Sequence, residues 1–366
     1  MKIVIRIIFL VFISFLMQCA LPNLKVKKDS TLVKKPAFYD LGWEPNTKLS
    51  KGHLPIFIET DTVGRQQLFV LSNNNTPVLY SAQITTPVCA DGDCKLMNIT
   101  LYWTLLGDYA GFDTDENRPL TKHDHDEFLP EDYLKLHQLL LDNNSILKNR
   151  TIDELVTSPK QLQLEGIDAL SGATITEVKE SVVLGALYSC YVAWHLVHNS
   201  GVKEKIKTHT ASMESTALRV AMLYEDNTEY QLYALERLSL EQYTNHFKRI
   251  SAVYKNSIPL VRSLIIKRMP FTFWRTSELQ YEFWNSFSEV DVNTRSLLLK
   301  QLNEVPIQVL ETLSEELSIM TKNQLKVYLG AIKTHHTQIH NTIKVFANSE
   351  HNTYSYIAKE FLERQE

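Results

Sequence analysis

Apolar positions along the chain change their period near residue 130. Between Leu54 and Tyr109 they alternate or fall in β-branched and aromatic runs: Pro55-Ile-Phe-Ile58, Gln67-Leu-Phe-Val-Leu71, Val78-Leu-Tyr-Ser-Ala-Gln-Ile84 and Leu96-Met-Asn-Ile-Thr-Leu-Tyr-Trp103. A period of two marks strands with one face on a core, and Asn73-Asn-Asn75 and Asp91-Gly92 supply turns between them. The pattern predicts an antiparallel sheet. From Glu131 to Asp142, Tyr133, Leu136, Leu140 and Leu141 recur at helical spacing, and Glu177 to His198 reads as one long, largely apolar helix. Residues 37–200 are therefore expected to form an α+β domain.

Asn199-Ser-Gly201 breaks the pattern, and residues 201–366 then read as helix throughout. Leu218 to Tyr224, Tyr230 to Leu238, Leu240 to Tyr254, Ile258 to Lys267, Thr276 to Phe287, Asn293 to Leu302, Ile307 to Leu317 and Asn323 to Lys333 each carry apolar residues three and four apart. Short polar links and Pro259, Pro270 and Pro306 punctuate them. Such a series suggests an all-α helical-repeat domain resembling HEAT-type arrays, with an irregular helical bundle as the alternative, since no clean repeat period emerges. His335 to Glu366 reads as a polar helix capping the series.

The N-terminus follows different rules. Lys2 and Arg6 precede an apolar run from Ile7 to Met17, too short for a comfortable membrane span but arranged like a secretory signal peptide. Leu16-Met17-Gln18-Cys19 resembles a bacterial lipobox, in which Cys19 is acylated after cleavage; Gln18 stands where a small residue is usual. Residues 1–19 are thus expected to be a lipoprotein signal, with a conventionally cleaved signal or an uncleaved anchor as alternatives. Residues 20–36, basic and aperiodic, would be a tether. The expectation is an exported protein of the bacterial cell envelope, held to a membrane by its lipid and facing the periplasm or the cell surface.

Composition changes this picture little. With 44% hydrophobic and 22% charged residues the chain is globular, and a net charge of −4 with a pI near 6.3 gives no electrostatic reason to expect nucleic acid. Cys89 and Cys94 bracket the turn-forming Ala-Asp-Gly-Asp, so a local disulfide is the first reading in an oxidising compartment; a zinc site would need two further ligands. Cys190, in an apolar helical run, reads as a core thiol.

One segment carries chemistry. In Asp168-Ala-Leu-Ser171-Gly172-Ala173-Thr174, the glycine permits close backbone approach and the alanine adds almost no bulk beside a threonine hydroxyl, while the helix expected next would turn free N–H groups toward a phosphate. This string resembles the attachment motif of the FMN-binding domain found in flavin-carrying subunits of ion-translocating oxidoreductases. The resemblance spans about residues 79–199 and is sharp only over 168–176; the glycine-rich strand pair that precedes the motif in that family is replaced here by Gly107-Asp-Tyr-Ala-Gly111-Phe and a polar segment. It implies that a flavin transferase, using FAD, attaches FMN to Thr174 by a phosphoester. Asp168, Ser171, Gly172 and Ala173 would complete the motif. The chain would then be an electron-transfer flavoprotein rather than a stand-alone enzyme, docking a redox or assembly partner through its helices. A plainer reading exists: Thr174-Ile-Thr-Glu177 is also a capping box. On that reading the protein is a non-catalytic envelope scaffold whose helical domain binds another protein.

Two further groups of residues bear on the site. His123-Asp-His125-Asp-Glu127, with His137 nearby, holds enough imidazole and carboxylate for a divalent metal, but the flanking Pro119 and Pro130 favour a solvated loop. Tyr102, Trp103, Tyr109 and Phe112 could face a flavin ring or simply fill the core. No haem-attachment Cys-x-x-Cys-His, phosphate loop, dinucleotide fingerprint or His-Glu-x-x-His occurs.

Overall fold

A computed structural model describes residues 32–34, 48–88, 96–115, 117–157, 173–174, 176–276, 278–333 and 336–365. The N-terminal part is an antiparallel sheet built from β1 (Leu32–Lys34), β2 (Lys48–Lys51), β3 (Ile56–Thr60), β4 (Gly64–Asn73), β5 (Thr76–Pro87), β6 (Leu96–Thr104) and β7 (Tyr109–Asp113). The path runs β1-β2-β4-β5-β6-β7. The long β4 pairs with β3 through its first half, Thr60 opposite Gly64, and with β2 through its second, Ser50 opposite Ser72. Asn74 and Asn75, both at positive φ, make the two-residue turn that closes β4 on β5, a conformation asparagine tolerates better than most side chains. The expected hairpin turn is therefore present.

The sheet curls, and that explains a departure from strict alternation. Tyr80, Ala82, Ile84, Leu101, Trp103 and Phe112 face the main core, while Leu49, Leu71, Leu79, Tyr102 and Ala110 form a second, smaller cluster on the other side. Both faces are dry near the middle of β5 and β6, so apolar residues follow one another directly. Register shifts at Leu71/Ser72 and Tyr102/Trp103 accompany the bend.

Helix α1 (Pro130–Leu141) packs on β7 and on a later helix, with Leu136 and Leu140 buried; Leu141 is exposed, contrary to its place in the expected apolar stripe. Short 3-10 turns at Ile146–Asn149 and Ile152–Leu155 lead to β8 (Val156–Thr157), which pairs with β9 (Ala173–Thr174). The single long helix expected from Glu177 to His198 is instead two, α2 (Thr176–Ser181) and α3 (Leu187–Val197). Gly185 breaks it at φ +76°, and its carbonyl accepts the backbone N–H of His123 at 2.9 Å.

Nor does the chain break at Asn199. Its side chain accepts from Val202 N–H at 3.0 Å and caps the 13-residue α4 (Ser200–Ser212), so the residues read as a break are an N-cap. Asn199→Ala is expected to cost about 1 kcal/mol in urea unfolding. A cost under 0.3 kcal/mol would show that the cap is dispensable.

α4 lies against the sheet. The Tyr80 hydroxyl sits 2.8 Å from His209 Nδ1 and 3.0 Å from Thr210 Oγ1, and Thr210 donates to the Leu105 carbonyl at 2.7 Å. The remaining chain is all helical: α5 (Thr216–Tyr224), α6 (Thr228–Arg237), α7 (Leu240–Asn245), α8 (Phe247–Asn256), α9 (Pro259–Arg268), α10 (Phe271–Thr276), α11 (Tyr281–Trp284), α12 (Val292–Leu299), α13 (Ile307–Ser314), α14 (Lys322–Ala331), α15 (Thr337–Ala347) and α16 (Ser355–Glu363). Leu240 to Tyr254, expected as one helix, is divided in two, as are the described residues 336–365 of the helix expected from His335 to Glu366. Many links begin with a side-chain cap: Ser215, Asn227, Ser239, Asp291 and Thr321 each accept a backbone N–H of the helix that follows. Rings of Phe247, Tyr254, Phe273, Trp274, Phe283 and Trp284 interlock around α8, α10 and α11. One hydrophobic cluster continues from Ile58 in the sheet to Ala358 in the last helix. No described helix is long and apolar enough to cross a membrane.

Candidate functional site

Thr174 lies in β9, opposite Val156, with Ala173 opposite Thr157. Leu155, just before β8, and Val178, in the helix after β9, are both fully buried, so the pair is tied to the core on each side. The helix begins at Thr176 and has six residues. Thr174 is thus a strand residue rather than the cap of a long helix, and the dipole expected to face a phosphate is that of a short helix only. Asp168, Ser171 and Gly172 lie outside the described residues, as do Cys19, Cys89 and Cys94. β5 and β6 pair as far as Pro87 opposite Leu96, immediately outside the two latter cysteines in sequence.

The aromatic residues considered for a flavin ring divide clearly. Tyr102, Trp103 and Phe112 are at most 1% exposed and belong to the two cores, so they present no free face. Tyr109 is only partly buried; its hydroxyl lies 2.9 Å from His137 Nδ1, burial raises its pKa, and burial lowers that of His137. The residues considered for a metal are also separated. Thr121 bridges Glu127 across a small turn in which His125 has φ +72°, and His123 Nδ1 lies 3.0 Å from the Gly185 carbonyl. Among the described residues no group of three His, Cys, Asp or Glu side chains could hold a metal ion. Cys190 is fully buried, its thiol pushed up to about 12 by burial, as suits a core residue.

A cleft of about 590 Å³ opens between the β6–β7 turn, the residues that follow α1, and the junction of α3 with α4. Gly107, Asp108, Tyr109, Leu141, Asn143, Asn144, Lys148, Trp194, His195, Val197, His198, Asn199 and Lys203 line it. Three ring N–H groups on one turn of α3 and its C-cap hold the opposite wall. Trp194 Nε1–H donates to the Asp142 carbonyl at 2.8 Å, His195 Nε2 meets the Leu147 carbonyl at 3.1 Å, and His198 Nε2 meets the Leu140 carbonyl at 3.1 Å. A carbonyl only accepts, so each imidazole carries its proton on Nε2. Burial lowers the pKa of both histidines, against the opposing effect of those carbonyls. The rings also touch one another, with Trp194 and His198 centroids 4.5 Å apart and Tyr191 and His195 4.2 Å apart.

The remaining wall is fixed by a close backbone approach. Gly107 closes the β6–β7 turn at φ +81°, its N–H donating to the Thr104 carbonyl at 3.0 Å, and Lys203 packs directly on it. Asp108 forms an ion pair with Lys203. In the sequence, Trp194, His195 and His198 sit in a run that looks simply apolar, so the cleft is not visible there. Their spacing, i, i+1 and i+4 on a helix, is the signal: it sets three ring donors along one flank.

Comparison with protein-family models, with curated proteins and with solved structures finds no match to this chain.

Proposed function

We propose that the protein is an exported, lipid-anchored envelope flavoprotein that carries FMN as a phosphoester on Thr174 and serves in electron transfer. The observation that carries this reading is the string Asp168-Ala-Leu-Ser-Gly-Ala-Thr174, which a capped helix alone does not require. The pairing of Thr174 with Val156 supports it further, because a covalently held group needs an attachment point joined to the folded body.

In the attachment step the Thr174 hydroxyl oxygen attacks the FMN phosphorus of FAD. A P–O bond to the threonine forms, the pyrophosphate P–O bond breaks, AMP leaves, and the hydroxyl proton passes to a base of the flavin transferase. Bound FMN supplies one- and two-electron chemistry, and the protein's part is to hold and orient it. The helical region would dock the redox or assembly partner.

Co-expression with an active flavin transferase, followed by denaturing electrophoresis, tests the attachment. In-gel flavin fluorescence is expected from the parent and from Thr176→Val, and none from Thr174→Val. A dark band from the parent, with a known substrate of the same transferase fluorescent alongside, would sink the proposal.

A further inference from the structure

We propose that the cleft between the β6–β7 turn, residues 141–148 and the α3–α4 junction binds a small organic anion, a carboxylate or phosphate monoester on an apolar body. The inference is independent of flavin attachment.

Charge is the first argument. Of the two ammonium groups in the lining, Lys203 is balanced by Asp108, whereas Lys148 Nζ meets the neutral Asn144 Oδ1 at 3.1 Å and pairs with no carboxylate among the described residues. Burial lowers the pKa of His198 on the same wall, the Leu140 carbonyl and Asp142 oppose this, and Lys148 and Lys203 add to the lowering, so both ammoniums lie within electrostatic reach of that wall. Within the lining, Lys148 is therefore the ammonium that an incoming anion can meet, with the Asp142 carboxylate nearby outside the lining. Asn143, Asn144 and Asn199 add amide donors around it.

Shape and lining are the second. A volume near 590 Å³ lies in the range of small-molecule sites, which combine an apolar body with a few placed polar groups. Here the exposed Leu141 and the partly buried Tyr109 supply apolar surface beside the lysine and amides, enough to rest a ring or branched chain, with the buried Trp194 and Val197 behind them. Rigidity is the third. The three ring N–H bonds to residues 140, 142 and 147 hold one wall, and the Gly107–Lys203 contact holds the other. A site fixed in advance loses little ordering entropy when it fills.

The test uses the full chain in detergent, titrated calorimetrically with benzoate, with phenyl phosphate and with the uncharged benzamide. Saturable one-to-one binding of benzoate or phenyl phosphate is expected, with benzamide at least tenfold weaker. Lys148→Met is expected to weaken the anion about tenfold, the scale of one charge-assisted hydrogen bond. Lys148 is exposed, so the variant should fold, and circular dichroism checks this. Lys255→Met, which removes a lysine paired with Glu282 elsewhere, is expected to bind like the parent. Whichever of the two anions binds more tightly names the headgroup. No saturable binding of either anion, equal binding of benzamide, or equal affinity in Lys148→Met would each overturn the proposal.

Discussion

Trp103→Ala is expected to lower the unfolding free energy by about 4 kcal/mol, read from the urea midpoint at constant slope. Trp103 is fully buried on β6 and is among the largest side chains in the core, so truncation leaves a cavity that the sheet cannot close by itself. It also joins the two layers: its Nε1–H donates to the Val197 carbonyl at 3.2 Å, at the end of α3. Trp103→Phe separates these contributions. It keeps most of the apolar volume, loses the hydrogen bond, and leaves the Val197 carbonyl without that donor, for an expected cost of about 2 kcal/mol. If Trp103→Ala cost less than 1.5 kcal/mol, the contact between sheet and helices would be far looser than the buried geometry implies.

The same residue shows what the amino-acid pattern conveyed and what it withheld. Trp103 closes an alternating run, so its strand was legible, as were the β4–β5 and β5–β6 pairings, because period and turn residues are local. Its burial depends on the partner surface, for Tyr102 beside it is equally dry, against the second small core. Curl is a property of the whole sheet, and no single strand encodes it.

Helix boundaries failed in the same physical way. Asn199-Ser-Gly201 carries the composition of a loop, but an asparagine that accepts from the N–H three residues on starts a helix, and only the chain's path over the sheet decides between the two. Gly185 lies within an apolar run and breaks it because its carbonyl is taken by His123, a contact across 62 residues. The spacing of Thr174 and Glu177 also fits a capping box, but pairing with Val156 draws Thr174 into a strand. The Asp168–Thr174 string, which resembles an attachment motif, needs no tertiary context to be seen. The cleft needs all of it, since its walls come from β6–β7, the segment after α1 and the start of α4, and its histidines look like any others in sequence.

Gly107→Ala is the second large effect, with an expected cost of about 3 kcal/mol. Two causes add. At φ +81° any L side chain is strained, and a Cβ built there would meet Lys203 Cγ at 2.8 Å and Lys203 Cα at 2.9 Å, a backbone atom that cannot swing aside. Relief requires the β6–β7 turn to lift from α4, and this separates Asp108 from Lys203 and moves one wall of the cleft. Gly64→Ala is the internal control, because Gly64 has φ +65° but no atom within 4 Å of the added carbon, so it carries the backbone strain alone, about 1 kcal/mol. Gly107→Asn sharpens the comparison: asparagine tolerates the left-handed region, yet its Cβ meets the same atoms, so it should cost about 2 kcal/mol, below Gly107→Ala and still about 1 kcal/mol worse than Gly64→Ala. Urea unfolding of the three variants checks the order. Should Gly107→Ala and Gly64→Ala fall within 0.5 kcal/mol of each other, the turn would not be seated on Lys203, and the cleft would lose the fixed wall on which its preorganisation depends.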